Sequence, residues 1–305
     1  MFPNYTRTSQ QGEMTRMRIL ILGGSGRVGT MLRRCWEYDA QHTCLNDIEL
    51  AFQTRQADPA SPDDLLWDIL ADPPEQLSAA GPFDCMIVLS GIVPQPKADL
   101  RLNIAIGSAV IAAAAKVGIP RVLLASTSAV YGTYSNAPFA ETDRLEPTTD
   151  YGRAKRKMEE VSSTRAQVSG VAVCCLRIGN VAGADALLLN GAALGPGKAL
   201  QLDCFTNGGT PVRSYIGPHS LSRVLLSLAR ARATLPNALN IAAPHPVSMR
   251  ALANAAQIPF VLHPTQMHAH QHVTLDCGAL AAFHNFGPDC ADPAQIIDQW
   301  RACRT

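Results

Sequence analysis

The stretch from Arg18 to Trp36 constrains the fold of this chain more than any other. Arg18-Ile19-Leu20-Ile21-Leu22 is a short apolar run of leucine and β-branched residues that closes on Gly23-Gly24. Such a run reads as a strand buried on both faces of a parallel sheet. Gly23-Gly24-Ser25-Gly26-Arg27-Val28-Gly29 follows, then a helical pattern through Met31, Leu32, Cys35 and Trp36. Strand–helix alternation continues to about residue 180. It implies right-handed crossovers and an α/β, doubly wound parallel sheet. A glycine turn between strand and helix also has a chemical use. It lets backbone approach a pyrophosphate whose charge rests on the helix N-terminus. The spacing, Gly-x-x-Gly-x-x-Gly, is one residue wider at its start than the commoner Gly-x-Gly-x-x-Gly. Gly23, Gly26, Arg27, Val28 and Gly29 are therefore candidate dinucleotide contacts.

A second pattern lies downstream. In Asp150-Tyr151-Gly152-Arg153-Ala154-Lys155, Tyr151 and Lys155 are four apart and share one helix face. An ammonium beside a phenol favours the phenolate, so the expectation is a tyrosine pKa drawn down from about 10 towards working pH. That makes Tyr151 a candidate general acid/base for a sugar or alcohol hydroxyl. Alone the pair is a weak signal; the glycine turn upstream gives it weight.

These two features, in this order, resemble the extended short-chain dehydrogenase/reductase family, the NAD(P)-dependent epimerases and dehydratases of nucleotide sugars. The resemblance extends over residues 18–280. Asp84–Gly91 looks like the family's fourth strand, with Leu89, Ser90 and Gly91 where the cofactor lies. Leu102-Asn103-Ile104-Ala105-Ile106-Gly107-Ser108 is similar to its Asn-Val-x-Gly-Thr helix start. Val122–Gly132 resembles the fifth strand and its Ser-Ser-x-x-Val-Tyr-Gly segment. Leu176–Gly183 resembles the sixth strand and loop, placing Ile178 at the cofactor, and Trp67-Asp68-Ile69 resembles Gly-Asp-Leu beside the adenine. The implied fold adds a small C-terminal substrate lobe. Its expected bounds are a disordered extension at 1–16, a cofactor domain at 17–183, and a lobe at 184–305 interleaved with returning sheet elements. Met14 or Met17 is then a candidate start.

Carried over residue by residue, the resemblance implies Thr127, Tyr151 and Lys155 as the catalytic set. Thr127 would bond the reacting oxygen, and Lys155 would hold the ribose. Asn180 and Arg213 would meet substrate, a guanidinium suiting a diphosphate. Arg213-Ser214-Tyr215-Ile216-Gly217-Pro218-His219 departs from the family's Arg-Asp-Phe-Ile-His-Val-Asp. A smaller, non-nucleotide carbonyl substrate is a second reading. Family 4,6-dehydratases place Asp-Glu directly after the threonine; here Ser128-Ala129 stand there, which disfavours dehydration. Epimerase and reductase are not separable by motif. A dinucleotide-sensing protein without catalysis is the rival from another class. Such proteins usually lack the Tyr/Lys pair.

An acidic residue about 20 positions beyond the glycines would grip the 2′-hydroxyl of NAD, and an arginine the 2′-phosphate of NADP. Asp47 has the right distance but sits in a poor strand. Ile48–Arg55 alternates better and ends on Arg55, and Arg27 is a second phosphate partner, so the reading favours NADP.

The rest narrows the class. A net charge of +1 and 6% aromatic residues offer neither a basic footprint nor stacking platforms for nucleic acid. Nine cysteines are scattered without Cys-x-x-Cys spacing, and residues 1–16 hold no apolar signal segment. The longest apolar stretch, 104–117, is too short for a membrane span. A cytoplasmic protein is the expectation. His263, His268, His270 and His272 have alternating spacing, but a surface loop or edge strand explains them without metal. The alanine-rich helix after Asn103 is the element through which family members dimerise, so a homodimer is expected.

Overall fold

The computed structural model describes residues 16–42, 45–265 and 269–304. Seven parallel strands form the central sheet: β1 (Met17–Leu22), β2 (Ile48–Thr54), β3 (Leu65–Leu66), β4 (Cys85–Val88), β5 (Arg121–Thr127), β6 (Ala172–Ile178) and a late strand, Ala238–Ile241. Their spatial order is β3-β2-β1-β4-β5-β6 followed by the late strand. The order reverses between β1 and β4, and β2 and β4 both pair with β1's last residues, Leu22 meeting Gln53 on one side and Val88 on the other. A crevice opens at such a switch, outside the carboxyl ends of the strands.

β1 is apolar throughout because both of its faces are covered. Ile19 and Ile21 pack into one core with Leu32, Cys35 and Trp36 of α1 (Arg27–His42) and Leu221, Val224, Leu225 and Leu228 of a later helix. Leu20 and Leu22 face the other way, onto Ile106, Val110 and Ala114 and onto Met158 and Ala166. These belong to α3 (Leu102–Val117) and α4 (Asp150–Ser169); α2 (Glu75–Ala79) is a short turn before β4. Period-two alternation in a strand, with every position at 0% exposure from Ile19 to Leu22, is the signature of this sandwich.

α4 carries the Tyr151–Lys155 face, so its start matters. Thr149 caps it, its hydroxyl accepting from Gly152 N at 3.1 Å. Its position against α3 depends on Gly107, where a β-carbon would lie 2.5 Å from Ser162 Oγ and 2.6 Å from Met158 Cγ.

Beyond β6 the chain leaves the sheet for short pairs. Asn180–Val181 runs parallel to Tyr215–Ile216. Val212–Arg213 lies between Val247–Ser248 and His272–Val273. Leu200–Cys204 pairs with Phe260–Pro264. The helices of this half are α5 (Ala186–Ala192), α6 (Pro218–Arg230), α7 (Met249–Ala256) and α8 (Pro293–Ala302). α6 covers the sheet beside α1, with Trp36 Nε1 donating to Ser222 O at 3.3 Å. Among the described residues no helix is long and apolar enough to cross a membrane.

Because α3 and α4 meet at Gly107, its replacement by valine should wedge them apart. The expected loss is about 1–3 kcal/mol, read as a lower urea midpoint at unchanged slope; an unchanged midpoint would show that the two helices yield.

Candidate active site

A cavity of about 400 Å³ occupies the switch point. Gly26–Gly29 of the glycine turn, Leu89, Gly91 and Val93 after β4, Ala125–Thr127 of β5, Ile178–Val181 after β6, Ala184 and Asp185, and Tyr151 and Lys155 of α4 line it. The turn is built to let a ligand close. Gly23 has φ +84°, and a β-carbon there would lie 2.6 Å from Ser90 N and Oγ. At Gly29 a β-carbon would collide with Gly23 O, so only glycine lets α1 start so near the strand. Gly23 N is held by Gln53 Oε1 at 3.0 Å. The first N–H groups of α1 have no intrahelical acceptor and point where a pyrophosphate would sit. A β-carbon on Gly91 would lie 3.2 Å from Lys155 Nζ, which keeps the floor beside the lysine open. The residues present therefore fit a dinucleotide.

Thr127 ends β5 and Tyr151 opens α4. Thr127 Oγ1 accepts from Ala129 N at 3.2 Å, and Thr127 and Tyr151 both line the cavity. Lys155 is 3% exposed, and its Nζ donates to Ala125 O at 2.8 Å. The structure corrects the expectation that the ammonium pulls the phenol down. Burial raises the Tyr151 pKa, and the nearby Thr127 hydroxyl offsets this only in part. Burial also lowers Lys155 from 10.5 to about 8, against opposing pulls from Cys175 and Glu159. Desolvation is the largest cause of both shifts, and the ammonium is turned to a strand carbonyl.

The model of the NAD dependent epimerase/dehydratase family matches residues 19–216. This chain belongs to that family. It is 29% identical over 177 residues to a UDP-glucose 4-epimerase of Azospirillum brasilense, spanning 55% of this chain and 50% of the relative. It is 32% identical over 161 residues to that of Lacticaseibacillus casei, spanning 46% and 48%. These matches thus span about half the length of the relatives. The UDP-glucose 4-epimerase of Thermus thermophilus in complex with NAD superposes with a TM-score of 0.71 at 19% identity, covering 93% of this chain and 99% of that one. An NAD-dependent NDP-hexosamine 5,6-dehydratase of tunicamycin biosynthesis does so at 0.71 and 20%, covering 94% and 98%. Both share the fold.

Other family landmarks fall in several places. Asn180 lines the main cavity and also a smaller one of about 130 Å³, with Ser128, Arg213 and Ser214. Arg213 is half-buried; its guanidinium donates to Val212 O at 2.8 Å and Gln271 O at 2.9 Å, and burial lowers its pKa. Ser90 backs Gly23 rather than lining the cavity. Ile69 is buried in the core with Leu20 and Leu22, so it is a packing residue and not a contact surface. Asp68 is exposed after β3 and accepts from Leu70 N at 3.1 Å. Arg55 is exposed just past the carboxyl end of β2. Asp47 is excluded as a ribose ligand. It precedes β2, at the sheet end opposite the crevice, and pairs with Arg230 at 2.5 Å. Of the histidines, His263 is on the strand paired with Leu200–Cys204, His272 on that paired with Val212–Arg213. His268 lies outside the described residues. Among these, no group of three His, Cys, Asp or Glu side chains is placed to hold a metal.

The main residue that pattern reading missed is Glu159, one turn beyond Lys155. Its carboxylate accepts from Ser126 Oγ at 2.5 Å and from Arg177 Nη2 at 2.9 Å. Arg177 Nη1 donates to Tyr131 Oη at 2.9 Å, which donates to Asn240 Oδ1 at 2.7 Å. A signal existed: an arginine inside the apolar strand 172–178 needs a buried acid.

The lysine has a testable pH signature. With a folded pKa near 8 against 10.5, burial penalises the folded state fully below pH 8. The penalty fades towards 10.5, where the unfolded chain binds more protons. Buried thiols such as Cys85 and Cys174, pushed up to about 12, act oppositely above their ordinary 9.0. Wild type measured against Lys155→Met in urea should therefore gain on the order of 1 kcal/mol from about pH 7 to pH 9. A gap that stays constant would mean Lys155 is hydrated.

Proposed function

We propose that this chain is an NAD(P)-dependent epimerase acting on a carbinol of a nucleotide sugar by hydride transfer. The observation that carries the reading is that Thr127, Tyr151 and buried Lys155 line one crevice, with no carboxylate pair behind the threonine. Ser128 and Ala129 there form a short helical turn instead. An elimination would need an acid and a base at those positions.

The nicotinamide, when bound, supplies the hydride acceptor and donor. The chain's own residues handle the proton. Tyr151 Oη takes the carbinol proton as the ketone forms and returns it on reduction, while the Thr127 hydroxyl orients the same oxygen. A phenol raised by burial is reluctant to ionise, so a nearby cation is needed to stabilise its phenolate. Lys155 stays largely protonated at neutral pH with a pKa near 8, and Glu159 pulls it upward. Arg213, bonded within the chain to carbonyls only among the contacts seen, is suited to a sugar diphosphate. The UDP-glucose 4-epimerase relatives make UDP-hexoses the first substrates to try.

For the cofactor we favour NADP. The support is Arg55 and Arg27, both exposed at the crevice side, and the absence of an acid at the carboxyl end of β2. The epimerase neighbour from Thermus thermophilus is in complex with NAD.

Two outcomes test this. Tyr151→Phe should lower UDP-hexose interconversion by roughly 10²–10⁴-fold while fluorescence titration shows cofactor binding intact; full activity in the variant removes the reading. Arg55→Ala should weaken NADPH binding by about tenfold or more relative to NADH, one charge-assisted contact being worth roughly 1.5–3 kcal/mol. An equal effect on the two cofactors rules Arg55 out as the phosphate partner.

A further inference from the structure

Cys35 on α1 and Cys303 just past α8 are 268 residues apart, yet their sulfur atoms lie 3.1 Å from each other. Both are buried, at 4% and 6% exposure, and neither lines the crevice. Most other thiols here are pushed up by burial, Cys85, Cys174 and Cys277 to about 12, and are inert as nucleophiles. Cys303 differs. Its sulfur shares a hydrogen bond with that of Cys35 and the Arg34 guanidinium lies beside it, so its pKa is lowered while that of Cys35 rises. Arg34 Nη1 also donates to Cys303 O at 2.7 Å, which fixes the guanidinium at this end of α8. The Arg34 guanidinium favours ionisation of Cys303, and the Cys35 sulfur sits in reach to resolve it, the arrangement of a redox-responsive pair.

We propose that Cys35 and Cys303 form a reversible disulfide that staples α8 to α1 when the protein meets a low-molecular-weight disulfide. The Cys303 thiolate attacks one sulfur of that oxidant and expels the other as thiolate. Cys35 gives up its proton and attacks Cys303 Sγ, and the second small thiolate leaves. Two protein thiols lose two electrons and two protons; one small disulfide becomes two thiols. In a reducing compartment the pair rests open and closes under oxidative load.

The staple joins elements on both sides of the crevice. α1 begins at the glycine turn. On α8, Trp300 fills the space over Gly183, where a β-carbon would strike its ring, next to Ala184 and Asp185 of the cavity wall. Gln299 Nε2 bonds Ser220 Oγ at 3.1 Å, tying α8 to α6. Closing a loop of this length also removes freedom from the unfolded chain, so the oxidised protein is the more stable form.

The test uses the whole folded chain, reduced, desalted and incubated with oxidised glutathione, then alkylated and peptide-mapped. The expected result is a Cys35–Cys303 cross-linked peptide and a higher melting temperature, both reversed by dithiothreitol and both absent in Cys303→Ser. Glutathione on Cys290 or Cys204 with Cys35 and Cys303 still alkylated overturns the proposal. So does a mixed disulfide that stops at Cys303, or cross-linking without a rise in melting temperature. If Cys303→Ser does not fold, the wild-type map and melting curve decide alone.

Discussion

The buried pair between Glu159 and Arg177 is the interaction on which the site rests. Taking both charges out of water costs several kcal/mol per ion, and only complete hydrogen bonding offsets it. Here that condition is met across three elements. Glu159 on α4 receives Ser126 from the end of β5 and Arg177 from the end of β6. Arg177 then reaches Tyr131 and Glu141 O, and Tyr131 passes the network to Asn240 on the late strand. A pair with such demands tolerates little drift. It fixes the rotation of α4 against two strand ends, and so sets Tyr151 and Lys155, two turns and one turn earlier, at the crevice with Thr127.

Placement alone does not set the charge of the crevice, because the same burial acts on both Tyr151 and Lys155. It raises the tyrosine and lowers the lysine. The crevice therefore favours the neutral form of each group. Glu159 counters this by pulling Lys155 upward through the helix turn that separates them. The ion pair thus acts on geometry and on charge together, and a ligand that displaces water from the crevice strengthens both effects.

The cofactor end follows a different logic, one of direction. In a parallel sheet every strand presents its carboxyl end to the same side. That rule brings Gly26, Leu89, Thr127 and Ile178 together although they are spread over 150 residues of sequence. It also sends Asp47 to the far side, onto Arg230, and leaves Arg55 at the near one. Distance along the chain from the glycines suited Asp47 and strand pattern suited Arg55; strand direction removes Asp47 from the crevice.

What the sequence determined by itself was local. The doubly wound class, the strand–turn–helix at 18–36 and the helix face shared by Tyr151 and Lys155 follow from periods of 2 and 3.6 residues and from glycines at fixed offsets. These properties need only near neighbours. The tertiary structure decided the rest: that Ile69 is core, that Asp68 bonds its own backbone, that Tyr151 is raised rather than lowered, and that Glu159 is the partner of Arg177. It also brought Cys35 against Cys303. Burial and long-range contact are set by which strands pair and in what register. A pKa follows burial more steeply than it follows any neighbour in sequence.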